Sequence, residues 1–290
     1  MICNQCPRMC NVDRSKTVGR CGVGENFKLA RASLHFWEEP CISAKNGSGT
    51  VFFSGCNLGC VFCQNYEISH RKIGREVSAD ELIKIFESLI EKGANNINLV
   101  NPTHYALQLA DVLSKWKSPV PIIYNSSGYE SVETLKELDG LVDIYLPDFK
   151  YISSEKARKY SFAEDYPEVA MLALKEMKRQ IGADVFDESG LMKKGMIIRH
   201  LVLPSNTNES IRVLDYLAEN YGDTYISVMA QYTPCGNLTG YDEINRRLTK
   251  REYNKIVDYA LSLGLDKIFI QDLSSAHEQF IPDFSENFKY

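Results

Sequence analysis

The chain has 290 residues, 24 % charged and 44 % apolar, with 33 basic against 38 acidic side chains and a net charge of −5. That make-up is of a soluble globular protein, long enough for one large α/β domain or two smaller ones. It argues against a general nucleic-acid binder, which normally carries a basic footprint. No apolar run is long enough to span a bilayer, so no membrane partner is expected. Met1-Ile2-Cys3-Asn4-Gln5-Cys6 has no basic stretch ahead of a hydrophobic one, so no signal peptide is expected and the location expected is cytoplasmic. Nine cysteines then read as metal ligands or reactive thiols rather than disulfides.

Four of the nine come first. Cys3, Cys6 and Cys10, in C-x2-C-P-x2-C order, are followed by Gly19-Arg20-Cys21-Gly22. Pro7, Gly19 and Gly22 suit tight turns that aim thiolates at one centre, and four thiolates favour zinc or an auxiliary iron–sulfur cluster. The compact spacing leans to zinc, and the cysteine beside proline leans to iron–sulfur. Residues 29–41 read as a linker, with His35, Trp37 and Glu38 packing an amphipathic segment on the main domain. The alternative for those three is a lid. Asn46-Gly47-Ser48-Gly49 hands over to a first strand, Thr50-Val51-Phe52-Phe53. Residues 1–48 are thus expected to form a Cys-rich metal-binding segment and linker, and 49–290 the main domain.

Directly after that strand stands Gly55-Cys56-Asn57-Leu58-Gly59-Cys60-Val61-Phe62-Cys63-Gln64-Asn65. Three thiolates at C-x3-C-x2-C spacing can wrap one polynuclear cluster. A cubane takes four ligands, so one iron stays open to a small molecule. A partial zinc site is the rival, but structural zinc uses two ligand pairs across a longer gap.

Beyond Ser78 the chain alternates helix and strand. Ser78 and Glu81 form a capping box, Leu82, Ile83, Phe86, Leu89 and Ile90 an apolar stripe, and Gly93 a stop. Strand Ile97–Val100 follows, then helix Ala106–Trp116, strand Val120–Tyr124, helix Ser131–Leu138 and strand Val142–Leu146. Ser153–Gly182 reads as mostly helical. Strand Gly195–Leu203, helix Glu209–Asn220, strand Thr224–Met229, a helix capped by Thr249 and Glu252, and strand Lys267–Gln271 complete the chain. Repeated strand–helix units imply a parallel sheet. The fold class expected is α/β, a partial (β/α) barrel of TIM type with a small Cys-rich segment ahead of it. Chemistry in barrels sits at the C-terminal ends of strands. The polar residues at those ends are therefore the site candidates: Asn101, Thr103 and His104; Asn125 and Ser127; Asp148 and Lys150; Arg199; Gln231 and Tyr232. Arg199 and His200 point to opposite faces of their strand, and Arg199 is taken as the one facing the site. Cys235 is a candidate hydrogen-atom donor, substrate contact or metal ligand, or else a small buried residue like most free cysteines. Cys41 has no assigned role.

The cysteine loop, with Phe62 before its third thiol, closely resembles the signature of the radical S-adenosylmethionine (SAM) superfamily. Asn125-Ser126-Ser127-Gly128, Asp148-Phe149-Lys150 and Arg199–Pro204 resemble the branch that includes pyruvate formate-lyase activating enzyme. The Cys-Pro-Arg start, Trp37-Glu38-Glu39-Pro40 and Asn101-Pro102-Thr103-His104 resemble an uncharacterised subgroup of that branch. The resemblance implies a 4Fe–4S cluster on Cys56, Cys60 and Cys63 and SAM on the open iron. It further implies one-electron cleavage to a 5′-deoxyadenosyl radical, and hydrogen abstraction from a protein, peptide or small-molecule substrate. An electron donor such as flavodoxin or ferredoxin is implied too, and the cluster's oxygen lability points to an anaerobic, reducing interior. Ribose contacts fall to Asn125 and Ser127, and the SAM carboxylate to Lys150 and Arg199. Asp148 accepts a hydrogen bond from SAM or substrate, and Gln231 or Tyr232 touches adenine or methionine. The family's Gly-Gly-Glu motif is missing after the second strand, so Asn101, Thr103 or His104 would take over its contact with the SAM amino group. A glycine in a partner enzyme is the inherited substrate. The rival reading is a non-catalytic zinc or iron–sulfur scaffold or redox sensor that does not cleave SAM; a barrel enzyme with a mononuclear metal on the three loop cysteines is a third.

Overall fold

β-branched runs alternate with amphipathic stretches, and the computed structural model shows what they build; it describes residues 2–275 and Phe284. The strands are β1 (Phe27–His35), β2 (Ser48–Phe53), β3 (Arg75–Val77), β4 (Ile97–Val100), β5 (Ile122–Ser126), β6 (Ile144–Pro147), β7 (Val185–Phe186), β8 (Met192–Leu201), β9 (Tyr225–Met229) and β10 (Ile268–Ile270). The helices are α1 (Pro40–Ser43), α2 (Tyr66–Ser69), α3 (Ala79–Glu91), α4 (Ala106–Lys115), α5 (Val132–Lys136), α6 (Ser154–Ser161), α7 (Tyr166–Ile181), α8 (Thr207–Tyr221) and α9 (Lys250–Ser262).

The sheet order is β10-β9-β8-β6-β5-β4-β2-β1-β3. From β2 to β10 every neighbouring pair is parallel and follows chain order. That is the winding of a (β/α) barrel, left open because β3 and β10 end the path. β1 and β3 extend it antiparallel beyond β2, and β7 is a short antiparallel ribbon on β8. The expected fold class is the one observed. Among the described residues no helix is long and apolar enough to cross a membrane.

Local chemistry explains the elements. Ser78 Oγ accepts the Glu81 N–H at 3.2 Å and starts α3. Leu82, Ile85, Phe86 and Leu89 bury one face against β1, β2 and β4, and Gly93 ends the helix at φ +93°. Each such side chain adds about 1.5–3 kcal/mol by leaving water. Thr249 and Glu252 cap α9 reciprocally.

Alternation along the strands sorts two cores. Tyr124, Tyr145 and Ile198 face the helices, while Ile123, Ile144, Leu146 and Ile197 face inward and pack on Cys41 and Ile42 of α1. Pro40 opens α1, and Asn95 and Asn96, just before β4, donate to the carbonyls of Ser43 and Ile42 at 2.7 and 2.9 Å. This single helical turn therefore plugs the barrel at the end where the strands begin. Cys41 is one of its buried apolar contacts.

Several expectations need correction. Residues 29–41 are not a linker: Phe27–His35 is a sheet strand and Pro40–Ser43 the plug. The region 153–182 is mostly helical as expected, in two helices that meet at Phe162, whose left-handed φ of +54° caps α6 before α7 begins. The third parallel strand starts at Ile122 rather than Val120, and β8 starts at Met192 rather than Gly195.

Candidate active site

The open end of the barrel, where the parallel strands finish, holds a cavity of about 410 Å³, a size ordinary for a cofactor or small-ligand pocket. The loop after β2 contributes Cys56, Cys60 and Cys63, all of which line it. Gly55 holds φ +90°, and a Cβ there would stand 2.8 Å from the Cys21 carbonyl, so only glycine lets the loop lie on the N-terminal segment. The Cys56 N–H donates to that same carbonyl at 3.3 Å.

The three thiols share one neighbourhood. Burial, then Cys60 and Cys56, push the Cys63 thiol up to about 12, and burial also raises Cys60. Thiols that raise one another become thiolates together only when a cation binds them. Their sulfurs accept hydrogen bonds from Leu58 N at 3.4 Å and from Ser161 Oγ at 2.9 Å, contacts of the kind that tune a cluster's potential.

Across the cavity lies a ladder of four alternating charges. Lys150 Nζ sits 2.5 Å from Asp148 Oδ2. Arg199 reaches Asp148 Oδ1 at 3.3 Å and Glu38 Oε2 at 3.2 Å, and donates to Asn125 Oδ1 at 2.6 Å. Glu38 Oε1 accepts from Asn98 Nδ2 at 2.9 Å. Burial pushes the Asp148 carboxyl up, but Lys150 and Arg199 outweigh it and hold it below the usual range. Glu38 goes the other way, because burial outweighs the pull of Arg199 and keeps its carboxyl raised. Gly128 (φ +76°) allows the β5 turn to close on β6, since a Cβ would stand 2.3 Å from the Asp148 carbonyl.

Of the expected SAM-site residues, the structure gathers Asn101, Asn125, Ser127, Asp148, Lys150, Arg199, Gln231 and Tyr232 around the cavity. It corrects others. Thr103 and His104 are buried outside it: Thr103 Oγ1 donates to Glu130 at 2.6 Å, and His104 Nε2 bonds the Ser54 carbonyl at 2.7 Å. Both side chains are spent on these contacts, and neither reaches the cavity lining, where Asn101 alone of the three stands. Cys235 also lies outside the lining, its thiol 3.5 Å from the Phe62 carbonyl behind the cysteine loop. The Tyr232 hydroxyl is committed to the Ile244 carbonyl at 2.7 Å. His200 turns away as the strand's alternation requires, between the Phe149 carbonyl and Ser210 Oγ, both at 2.9 Å.

Cys3, Cys6, Cys10 and Cys21 lie outside the cavity. Burial pushes the Cys6 thiol up to about 12, with Cys3 and Cys10 adding to the rise, so these thiols too are neighbours. Among the described residues, however, no group of three or more His, Cys, Asp or Glu side chains is arranged to hold a metal ion. Neither these four thiols nor Cys56, Cys60 and Cys63 are therefore drawn together as a closed metal site, and the expected second centre, zinc or an auxiliary iron–sulfur cluster, is not shown.

Sequence reasoning missed residues that the structure adds. His35, Trp37 and Glu38, favoured as packing residues with a lid as the alternative, line the cavity. The available signal was two carboxylates between an aromatic residue and a proline. Gln64, Asn65, Thr233 and Gln271 also line it, in loops that carry no motif.

A half-barrel that brings a three-thiol loop and a charged ladder to one cavity defines a cofactor-binding (β/α) enzyme scaffold. The comparisons place it. The radical SAM superfamily model matches residues 50–194. An uncharacterised protein of Methanocaldococcus jannaschii, MJ0674, is 31 % identical over 279 residues, covering 92 % of this chain and 76 % of that one. Streptococcus suis SuiB, solved bound to S-adenosylmethionine, superposes with a TM-score of 0.51 at 18 % identity over 77 % of this chain and 50 % of its own. SuiB bound to the precursor peptide SuiA gives 0.51 at 17 %, over 81 % and 51 %. The likeness to SuiB is one of fold, and the chain spans about half the length of those structures. The chain belongs to the radical SAM superfamily.

Membership implies SAM and a 4Fe–4S cluster, and the residues present fit both. By donor type the fit is plain: three thiols line the same cavity, with hydrogen-bond donors at the sulfurs of Cys56 and Cys60. Farther round the lining, Ser127 Oγ, Asn65 Oδ1 and Thr233 Oγ1 are buried with no partner among the described residues. Such orphaned atoms are costly unless a ligand satisfies them.

Proposed function

We propose that this chain is a radical SAM enzyme that abstracts a hydrogen atom from a peptide or protein segment, a reaction of the glycyl-radical-activating type. The observation that carries the reading is the convergence of Cys56, Cys60 and Cys63 with Asn125, Asp148, Lys150 and Arg199 on one cavity. A metal scaffold or redox sensor has no use for that charged ladder. When bound, the cluster and SAM supply one-electron cleavage to a 5′-deoxyadenosyl radical.

In this reading Cys56, Cys60 and Cys63 would hold the cluster, with SAM bound beside it. Arg199 and Lys150 orient the SAM carboxylate, with Asp148 and Glu38 fixing both cations in place. Asn125 and Ser127 hold the ribose, and Gly128 lets the backbone approach. Phe62, Met229 and Tyr232 exclude water from the middle of the cavity.

The substrate side rests on the lining. The carboxamides of Gln64, Asn65, Gln231 and Gln271 and the hydroxyl of Thr233 are uncharged, and they match the donors and acceptors of a peptide backbone. The SuiB structures, one holding SAM and one a precursor peptide, support the same assignment. A small uncharged molecule is the alternative substrate.

The test is anaerobic. Protein reconstituted with iron and sulfide, reduced with dithionite and given SAM is assayed for 5′-deoxyadenosine and methionine, beside a triple Cys56→Ala, Cys60→Ala, Cys63→Ala variant. Product from the native chain alone is expected. A formed cluster that neither binds nor cleaves SAM would return the chain to the scaffold reading.

A further inference from the structure

A second cavity, of about 550 Å³, lies where the N-terminal segment meets the start of α3 and the side of α4. Its size suits a small ligand. It shares no lining residue with the cavity at the barrel mouth. Its walls are mostly apolar, built by Ile2, Phe27, Val77, Leu107 and Val112.

Two polar groups in that lining are unmet, and their needs are opposite. Arg14 is 4 % exposed. It donates to the His104 and Gly24 carbonyls and stands over the Tyr105 ring, 5.0 Å from its centre. Among the described residues no carboxylate pairs with it, and its Nε is buried without a partner. A buried guanidinium is costly unless an anion matches it. Gln108 lines the cavity too, and its Oε1 is buried with no donor among the described residues. Its Nε2 stands 3.5 Å from the Glu25 carbonyl, so the unmet donor and the unmet acceptor hang on consecutive residues, Gly24 and Glu25. Glu25 itself lines the cavity, as does Asp111, which is paired with Lys115 at 2.7 Å.

We propose that this cavity binds a free α-amino acid with a large apolar side chain. Arg14 takes the carboxylate, Gln108 and Glu25 take the ammonium, and the apolar walls take the side chain. An α-amino acid carries both charges on one carbon, which suits a cation and an acceptor placed side by side. A plain carboxylic acid would leave Gln108 Oε1 unmet, and an amine alone would leave Arg14 unmatched. A phosphate would bring a second negative charge to a lining that already holds Glu25 and Asp111. The inference does not rest on the radical SAM reading, since none of these residues belongs to that site.

The probes are L-phenylalanine and L-leucine, titrated by calorimetry into the whole, cluster-reconstituted chain. Saturable binding with a Kd of about 1 mM or below is expected. Phenylalaninamide lacks the carboxylate and N-acetylphenylalanine lacks the ammonium, and each should bind about tenfold more weakly or worse. Excess SAM should not displace phenylalanine. Gln108→Leu, on a partly exposed helix face, should weaken phenylalanine by about tenfold while circular dichroism and SAM affinity stay native. Arg14→Met should erase the preference for phenylalanine over its amide. Should Arg14→Met fail to fold, Gln108→Leu and the two analogues decide the matter without it. No saturable binding of either amino acid, an analogue that binds as well as phenylalanine, native affinity in Gln108→Leu, or displacement by SAM would each overturn the proposal.

Discussion

Arg199→Met keeps most of the aliphatic stem and removes the guanidinium fork. In the structure that fork joins Glu38, Asp148 and Asn125 at 3.2, 3.3 and 2.6 Å. The side chains are 13 % exposed for Arg199, 12 % for Glu38 and 18 % for Asp148. Breaking a buried ion pair from one side costs about 3–5 kcal/mol, because the remaining charge stays buried. Here Asp148 keeps Lys150, so Glu38 alone is stranded, and its already raised carboxyl can take up a proton. The lower end, about 3 kcal/mol, is expected. With a urea m-value of about 3 kcal/mol per M, the unfolding midpoint should fall by about 1 M. SAM affinity should also drop, since a charge-assisted hydrogen bond contributes about 1.5–3 kcal/mol, or roughly ten- to a hundredfold in Kd. Urea unfolding followed by circular dichroism and titration calorimetry with SAM measure the two effects separately. Adding Glu38→Gln removes the stranded carboxylate and should restore part of the stability while leaving SAM binding weak. A single variant that loses under about 1 kcal/mol and binds SAM normally would refute the reasoning, as would a double variant no more stable than the single one.

Cys63→Ala should abolish the reconstituted cluster's visible absorbance while the far-ultraviolet circular dichroism stays native, because the residue sits in a loop rather than in the sheet. Gly128→Ala should lower stability by more than 1 kcal/mol or so and weaken SAM binding, since its Cβ would meet the Asp148 carbonyl at 2.3 Å; unfolding and calorimetry check both. His200 is buried neutral, and burial pushes its pKa down to about 4. Between pH 6.5 and 4 the unfolded chain binds a proton that the folded chain does not, so stability falls as pH falls through that window. The loss attributable to His200 is roughly 3 kcal/mol, and urea midpoints for native and His200→Gln proteins across that range should differ in slope by this amount.

The winding of the sheet was legible because each βα unit announces itself locally: the apolar stripe and cap of α3, the capping box of α9, and the β-branched run before each loop. The loop cysteines and the Arg199–His200 alternation were equally local. What stayed hidden was either irregular or distant. β1 carries a register shift between Leu29 and Arg31 that breaks its two-residue period, so its alternation does not stand out. β3 has three residues, too few to show a pattern. Phe162 caps α6 in a left-handed conformation that is normally signalled by glycine. Glu38 meets Arg199 across 161 positions, and nothing local marks that pairing. Thr103 and His104 failed in the opposite way. They stand at a strand end, where chemistry is expected, but Thr103 is spent on Glu130, and the His104 carbonyl ties the N-terminal segment to the barrel by accepting from Gln5 at 2.9 Å and from Arg14.

A sheet whose parallel strands pair in chain order can assemble in the order in which a ribosome delivers them. The β1–β2 hairpin and the cysteine loop emerge first and offer an edge for β4, and each later strand finds its partner already in place. The thiol loop is therefore laid down long before β8 brings Arg199, so the nascent chain passes through a stage with its metal ligands displayed and its SAM site unfinished. Maturation by cluster insertion has a structural reason to wait until the last strands have closed over the loop.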